Sequence, residues 1–122
     1  MKIRLGLVCT GRAKCRRLPY SPNTRLHWAE KMRWTRAWKD AVYWAIKESY
    51  PHVKPLDYAI ISITLYAIRA QDYDNSVASV KPLVDGLKGL AIADDDPKHC
   101  KIEVETEKVN HKNEEHVEIE IT

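Results

Sequence analysis

The run Tyr58-Ala59-Ile60-Ile61-Ser62-Ile63-Thr64-Leu65-Tyr66-Ala67-Ile68 lies in the middle of the chain and leads into Asp72-Tyr73-Asp74-Asn75, the stretch to which the other motifs relate. Ile61, Ile63 and Leu65 share one face, and Tyr58, Ile60, Ser62, Thr64, Tyr66 and Ile68 share the other, as side chains of an extended segment alternate. The β-branched and aromatic content suits a pleated, buried surface, so the run predicts a long central strand. It delivers Arg69 and then Asp72-Tyr73-Asp74-Asn75 at its C-terminal end.

Outward from that strand the period changes. Trp34, Trp38, Val42 and Ala45 recur at helical spacing within His27 to about Ser49, with Arg33, Arg36, Asp40, Tyr43 and Lys47 opposite. Pro51 and Pro55 end this helix. Three of the four tryptophans lie inside the periodic run and are expected in the core or a subunit interface; Trp28, at the helix entrance, is left open. On the other side, Val77, Val80, Val84 and Leu87 predict a second helix from Asn75 to about Gly89, kinked at Pro82. Asp74, Lys81 and Lys88 repeat every seven residues and share its other face. Residues 3–9 read as a first strand, and residues 10–24, with Gly11, Pro19, Ser21, Pro22 and Asn23, as a long loop. Residues 101–109 and 115–121 alternate and predict a hairpin around Asn110-His111-Lys112-Asn113, its polar face nearly all Glu. The expected fold is one α+β domain over residues 1–122, a mixed or antiparallel sheet with two main helices packed on it.

Composition sets limits. With 122 residues, 44% hydrophobic and 30% charged, the chain is of ordinary globular type. No apolar run is long enough to span a bilayer, and the N-terminus reads as a strand instead of a signal peptide, so no membrane role is expected. Cys9, Cys15 and Cys100 are an odd number, read here without a close pair, which favours a reducing cytoplasm over a disulfide framework. The net charge of +3 conceals an asymmetry: residues 1–39 hold eleven Lys and Arg against Glu30, whereas residues 101–122 hold seven Glu against three Lys. The basic end attracts a polyanion, most simply nucleic acid. Arg12, Lys14, Arg16 and Arg17 concentrate in the loop, and with Arg69 they are the expected phosphate contacts.

Chemistry is expected at the acidic residues. Two carboxylates at i and i+2 on extended chain face one way and repel unless a cation lies between them, and Mg²⁺ is bound through one or two carboxylates plus waters and substrate phosphates. The alternative is that Asp72 and Asp74 cap the following helix, a position Asp favours. The further cluster Asp94-Asp95-Asp96 and the basic N-terminal third favour the metal. A carboxylate trio with Lys81 on a basic protein suggests metal-dependent phosphodiester chemistry.

These segments resemble a family. Asp72-Tyr73-Asp74-Asn75, then Lys81-Pro82-Leu83-Val84-Asp85-Gly86-Leu87, then Asp94-Asp95-Asp96-Pro97-Lys98-His99, are similar in order and kind to the RusA-type Holliday junction resolvases, small endonucleases of bacteria, phages and prophages. Asn23-Thr24-Arg25-Leu26-His27-Trp28 also resembles the start of the phage-type members. The resemblance implies a homodimer that binds four-way DNA junctions and nicks two strands symmetrically with Mg²⁺ or Mn²⁺. It implies Asp72, Asp74 and Asp95 as catalytic metal ligands, with Asp96 replacing Asp95 if the register slides by one, and Lys81 as the catalytic lysine. Two other readings stand beside it: a nonenzymatic nucleic-acid-binding module whose aspartates cap helices, and a structural protein associating head to tail through its basic and acidic ends.

Overall fold

A computed structural model describes residues 1–11, 14–21, 23–69 and 72–122. The predicted central strand is β4 (Ala59–Ala67). Before it come β1 (Lys2–Leu5), β2 (Val8–Thr10), β3 (Lys14–Arg16) and the long helix α1 (Trp28–Ser49); after it come α2 (Tyr73–Ser79), α3 (Lys81–Leu87), β5 (Cys100–Lys108) and β6 (His116–Ile121). The main sheet has the order β1-β6-β4-β5; β4 runs parallel to β5 and antiparallel to β6, so the sheet is mixed and the domain is α+β. A parallel neighbour cannot be reached by a tight turn. The chain therefore leaves β4, forms α2 and α3, and returns as β5, which places Asp72 through Asp96 on this crossover.

One sheet face makes the core. Ala59, Ile61, Ile63, Leu65 and Ala67 are buried and lie in register with Ile119, Ile121 and Val117 of β6 and with Val104 and Cys100 of β5. Trp34, Trp38, Val42 and Ile46 of α1 and Leu83, Val84 and Leu87 of α3 complete the same cluster. Ile46, instead of the expected Ala45, is the last buried residue of the α1 stripe; Trp34 and Trp38 join the core, whereas Trp44, expected in the core or a subunit interface, is exposed on this chain. The opposite sheet face carries Lys2, Arg4, Glu103, Glu105, Glu107 and Glu120, all exposed, as the alternation requires.

Five expectations are corrected. Residues 101–109 and 115–121 do not form a hairpin: β5 and β6 lie on either side of β4 and do not pair with each other. The second helix is not one kinked helix, because it divides at Val80 and Pro82 sits in the first turn of α3. A proline there forfeits no helical hydrogen bond, whereas within a continuous helix it would. The stretch 3–9 is interrupted at Gly6–Leu7, and residues 14–16 are not loop: β2 and β3 pair as a small antiparallel ribbon with Cys9 opposite Cys15. Those two cysteines are bonded as a disulfide, leaving Cys100 as the free, buried thiol. The absence of a close cysteine pair, on which the reducing-compartment argument stood, is thereby overturned. Among the described residues no helix is long and apolar enough to cross a membrane.

Candidate nucleic-acid and carboxylate site

The aspartate pair does not sit on extended chain. β4 stops at Ala67, and Asp72 is the N-cap of α2. Its Oδ1 accepts from the Asn75 backbone N–H at 2.8 Å and its Oδ2 from the Asn75 side-chain amide at 3.0 Å. This is the capping arrangement, in which a carboxylate satisfies a free N–H of the first helical turn. Asp74 lies within that turn, exposed to solvent, so the strand argument for a shared face fails. Asn75 in turn accepts from the Asn23 side-chain amide at 3.1 Å, which ties the N-terminal motif to the aspartate motif across the fold.

The second and third motif segments meet through lysines. Lys81 Nζ donates to Asp85 Oδ1 at 3.0 Å and to Asp95 Oδ2 at 3.1 Å. Lys88 Nζ lies 3.3 Å from both Asp94 Oδ1 and Asp95 Oδ1. The Lys81 ammonium, with further help from Asp94 and Lys88, holds the Asp95 carboxyl down from 3.8 to about 2. Reciprocally, Asp85 and then Asp95 push the Lys81 ammonium up, and Asp95 and then Asp94 push Lys88 up. At neutral pH both lysines are therefore cations and not general bases. Asp96 faces elsewhere: its Oδ1 lies 2.5 Å from His99 Nδ1, which raises the imidazole pKa, and its carbonyl accepts from the backbone of His99 and Cys100. Of the two register candidates, Asp95 is the one placed against Lys81.

The carboxylates are hard oxygen donors of the kind Mg²⁺ takes, and that ion needs only one or two of them beside water and phosphate oxygens. Their present positions are not those of a three-carboxylate centre. Among the described residues no group of three or more His, Cys, Asp and Glu is placed to hold a metal ion, and both oxygens of Asp95 are engaged by lysines. The structure thus brings Lys81 to Asp95 but does not gather Asp72, Asp74 and Asp95 into one ligand set.

The basic residues divide as well. Arg12 lies outside the described residues. Lys14 pairs with Glu30 at 3.2 Å. Arg17 lines a separate depression with Lys112 and Glu115. Arg16 is held in place: its Nε donates to the Leu18 carbonyl at 3.1 Å and its guanidinium lies 3.6 Å above the Tyr20 ring. Arg16 and Arg69 line one cleft of about 200 Å³. Asp85 and Lys88 are the participants that motif reading passed over. The Lys81–Asp85 spacing of i, i+4 was the signal for the first, since residues so spaced are neighbours on a helix. For Lys88 the sevenfold repeat with Lys81 was the signal. No family model, no curated protein and no solved structure matches this chain.

Proposed function

We propose that this chain is a RusA-like, metal-dependent endodeoxyribonuclease that nicks branched DNA, four-way junctions in particular, as a homodimer. The observation that carries the reading is the Lys81–Asp95 contact at 3.1 Å, which joins two motif segments fourteen residues apart. Asp72, Asp74 and Asp95, which do not form one ligand set in this structure, would have to be drawn together to hold Mg²⁺ or Mn²⁺, which would supply phosphate neutralisation and an acidified water. Lys81, kept cationic by its carboxylate neighbours, offsets charge on the scissile phosphate and the leaving oxygen. Arg16 and Arg69 position the backbone from the neighbouring cleft, a task that carries no sequence information. A twofold dimer matches the near-twofold symmetry of a junction with two equal sites.

The test is cleavage of a synthetic four-way junction beside a matched linear duplex, with and without divalent metal. Nicking of the junction alone, dependent on Mg²⁺ or Mn²⁺ and lost in Asp74→Asn with binding retained, is the expected result. Full cleavage in excess EDTA defeats the metal assignment. The second reading, a nonenzymatic nucleic-acid-binding module, is favoured by the capping bond of Asp72 at 2.8 Å. Junction binding with no cleavage under any divalent ion selects it.

A further inference from the structure

The outer side of α1, away from the core, carries large apolar side chains in solvent. Trp28 is 69% exposed, Met32 60% and Trp44 60%, and Tyr43 lies edge-on against Trp44. Exposed apolar residues scattered singly need no explanation, but a row of them along one helix marks an interaction face. Trp28, Met32, Arg36 and Asp40 recur every four residues and so form one ridge of the helix surface. A groove of about 470 Å³ follows one flank of the ridge, lined by Ala29, Arg33 and Ala37 of α1 with Thr10 and Gly11 from the end of β2. A second, of about 590 Å³, follows the other flank along Lys31, Thr35 and Lys39.

The ridge is complementary to itself. Arg36 and Asp40 are both exposed, and among the described residues neither has an ion-pair partner. When a second α1 is laid antiparallel on the first, crossing midway between these two residues, Arg36 stands over the partner's Asp40 and Asp40 over the partner's Arg36. The same midpoint sets Met32 against the partner's Trp44, because the two positions are equally far from it. Trp44 also follows Arg33 and Ala37 at helical spacing, so it lies on the flank of the first groove. A twofold axis across the helices keeps flanks together, and the partner's Trp44 therefore meets that groove. This reciprocity is what an isologous contact requires. The residue types agree: Trp, Tyr, Met and Arg are those enriched in protein interfaces. A nucleic-acid strand, by contrast, would meet the Asp40 carboxylate in the middle of the ridge.

We infer that the outer face of α1 is the interface with a second copy of this chain, packed antiparallel, with reciprocal Arg36–Asp40 pairs and Trp44 in the groove beside Met32. The inference rests on the homodimer of the reading above and gives that dimer its surface.

The test is sedimentation equilibrium in EDTA without DNA. The wild-type protein should be dimeric at micromolar concentration. Asp40→Arg, and separately Arg36→Asp, should raise the dimer dissociation constant about a hundredfold, because like charges then face each other twice across the axis. The two changes combined should restore wild-type association, since the pairs are rebuilt in reverse. Trp44→Ser should weaken the dimer at least about tenfold, as loss of an interface anchor does. If a charge variant does not fold, Trp44→Ser decides. A dimer indifferent to these substitutions, or single reversals that the double variant does not rescue, overturns the interface and leaves the homodimer standing. A monomeric wild type overturns both, and if Trp44→Ser then weakens junction binding the face belongs to nucleic acid. A dimer that behaves as stated but cuts no junction under Mg²⁺ sinks the nuclease and keeps the interface.

Discussion

Gly86→Ala should destabilise the protein although alanine is the better helix former. Gly86 is in α3 where that helix crosses α1, and both helices hold their buried stripes to the same core. A methyl group at Gly86 would stand 2.7 Å from the Lys39 carbonyl oxygen, 3.1 Å from Val42 Cβ and 3.2 Å from Lys39 Cα. The nearest of these is backbone in the middle of α1 and cannot rotate away, so the helices must separate. In a helix interior Gly→Ala gains at most about 1 kcal/mol. Overpacking a close helix contact costs about 1–3 kcal/mol. The net loss is about 1 kcal/mol, which for a domain of this size lowers Tm by roughly 4 °C. Urea denaturation followed by tryptophan fluorescence measures it, with Gly6→Ala as the control, because nothing lies within 4 Å of a methyl group there. A Gly86→Ala protein as stable as wild type, or more stable, refutes the claim that this glycine exists for close helix approach. Gly86 thus has a packing role where α3 meets α1.

Two further outcomes follow from the charges and the ribbon. Asp95 has its folded pKa depressed from 3.8 to about 2, so its contribution is fully present above about pH 4 and lost as pH falls through about 2; Lys81→Met should shrink this acid-side loss, read by thermal melts from pH 5 to pH 2. An unchanged acid limb would mean that Lys81 does not hold Asp95 in solution. Reduction of Cys9–Cys15, or Cys15→Ser, opens a small loop of sequence separation 6. By loop-closure entropy it should cost about 2 kcal/mol if the ribbon folds with the domain, and identical melts with and without dithiothreitol would contradict that.

The sheet was legible in part, and the reason lies in what alternation encodes. Period-two patterning told which side of each strand is buried, and Ile61, Ile63, Leu65, Val104 and Ile119 are all found inside. It did not tell which strand lies beside which. Residues 101–109 and 115–121 would show the same alternation as a hairpin or as two flanks of a third strand. The flanking arrangement is the one formed because β4, the most apolar strand, is paired along both edges, with nine residues matched by nine in β5. The β2–β3 ribbon was hidden for another reason: Lys14 and Arg16 have the composition of a loop, and only the register Cys9 opposite Cys15 explains why they are extended.

The site was legible as a set of residues and not as an arrangement, for an electrostatic reason. Sequence spacing shows that carboxylates accumulate between residues 72 and 96, and a metal is one way to relieve their repulsion. Lysines at helical spacing are another, and Lys81 and Lys88 take that part with Asp85, Asp94 and Asp95. These pairs are partly exposed, so each adds only modestly to stability. They do change what the cluster presents to a phosphate: two ammonium groups stand among three carboxylates, and Arg16 and Arg69 line a separate cleft. A bare acidic cluster repels a nucleic-acid strand. On the proposed nuclease reading, the two ammonium groups offset most of that repulsion, and an incoming phosphate would compete with Asp95 for Lys81. That exchange would free Asp95 Oδ2, the oxygen that Lys81 holds, while Lys88 stays on Oδ1.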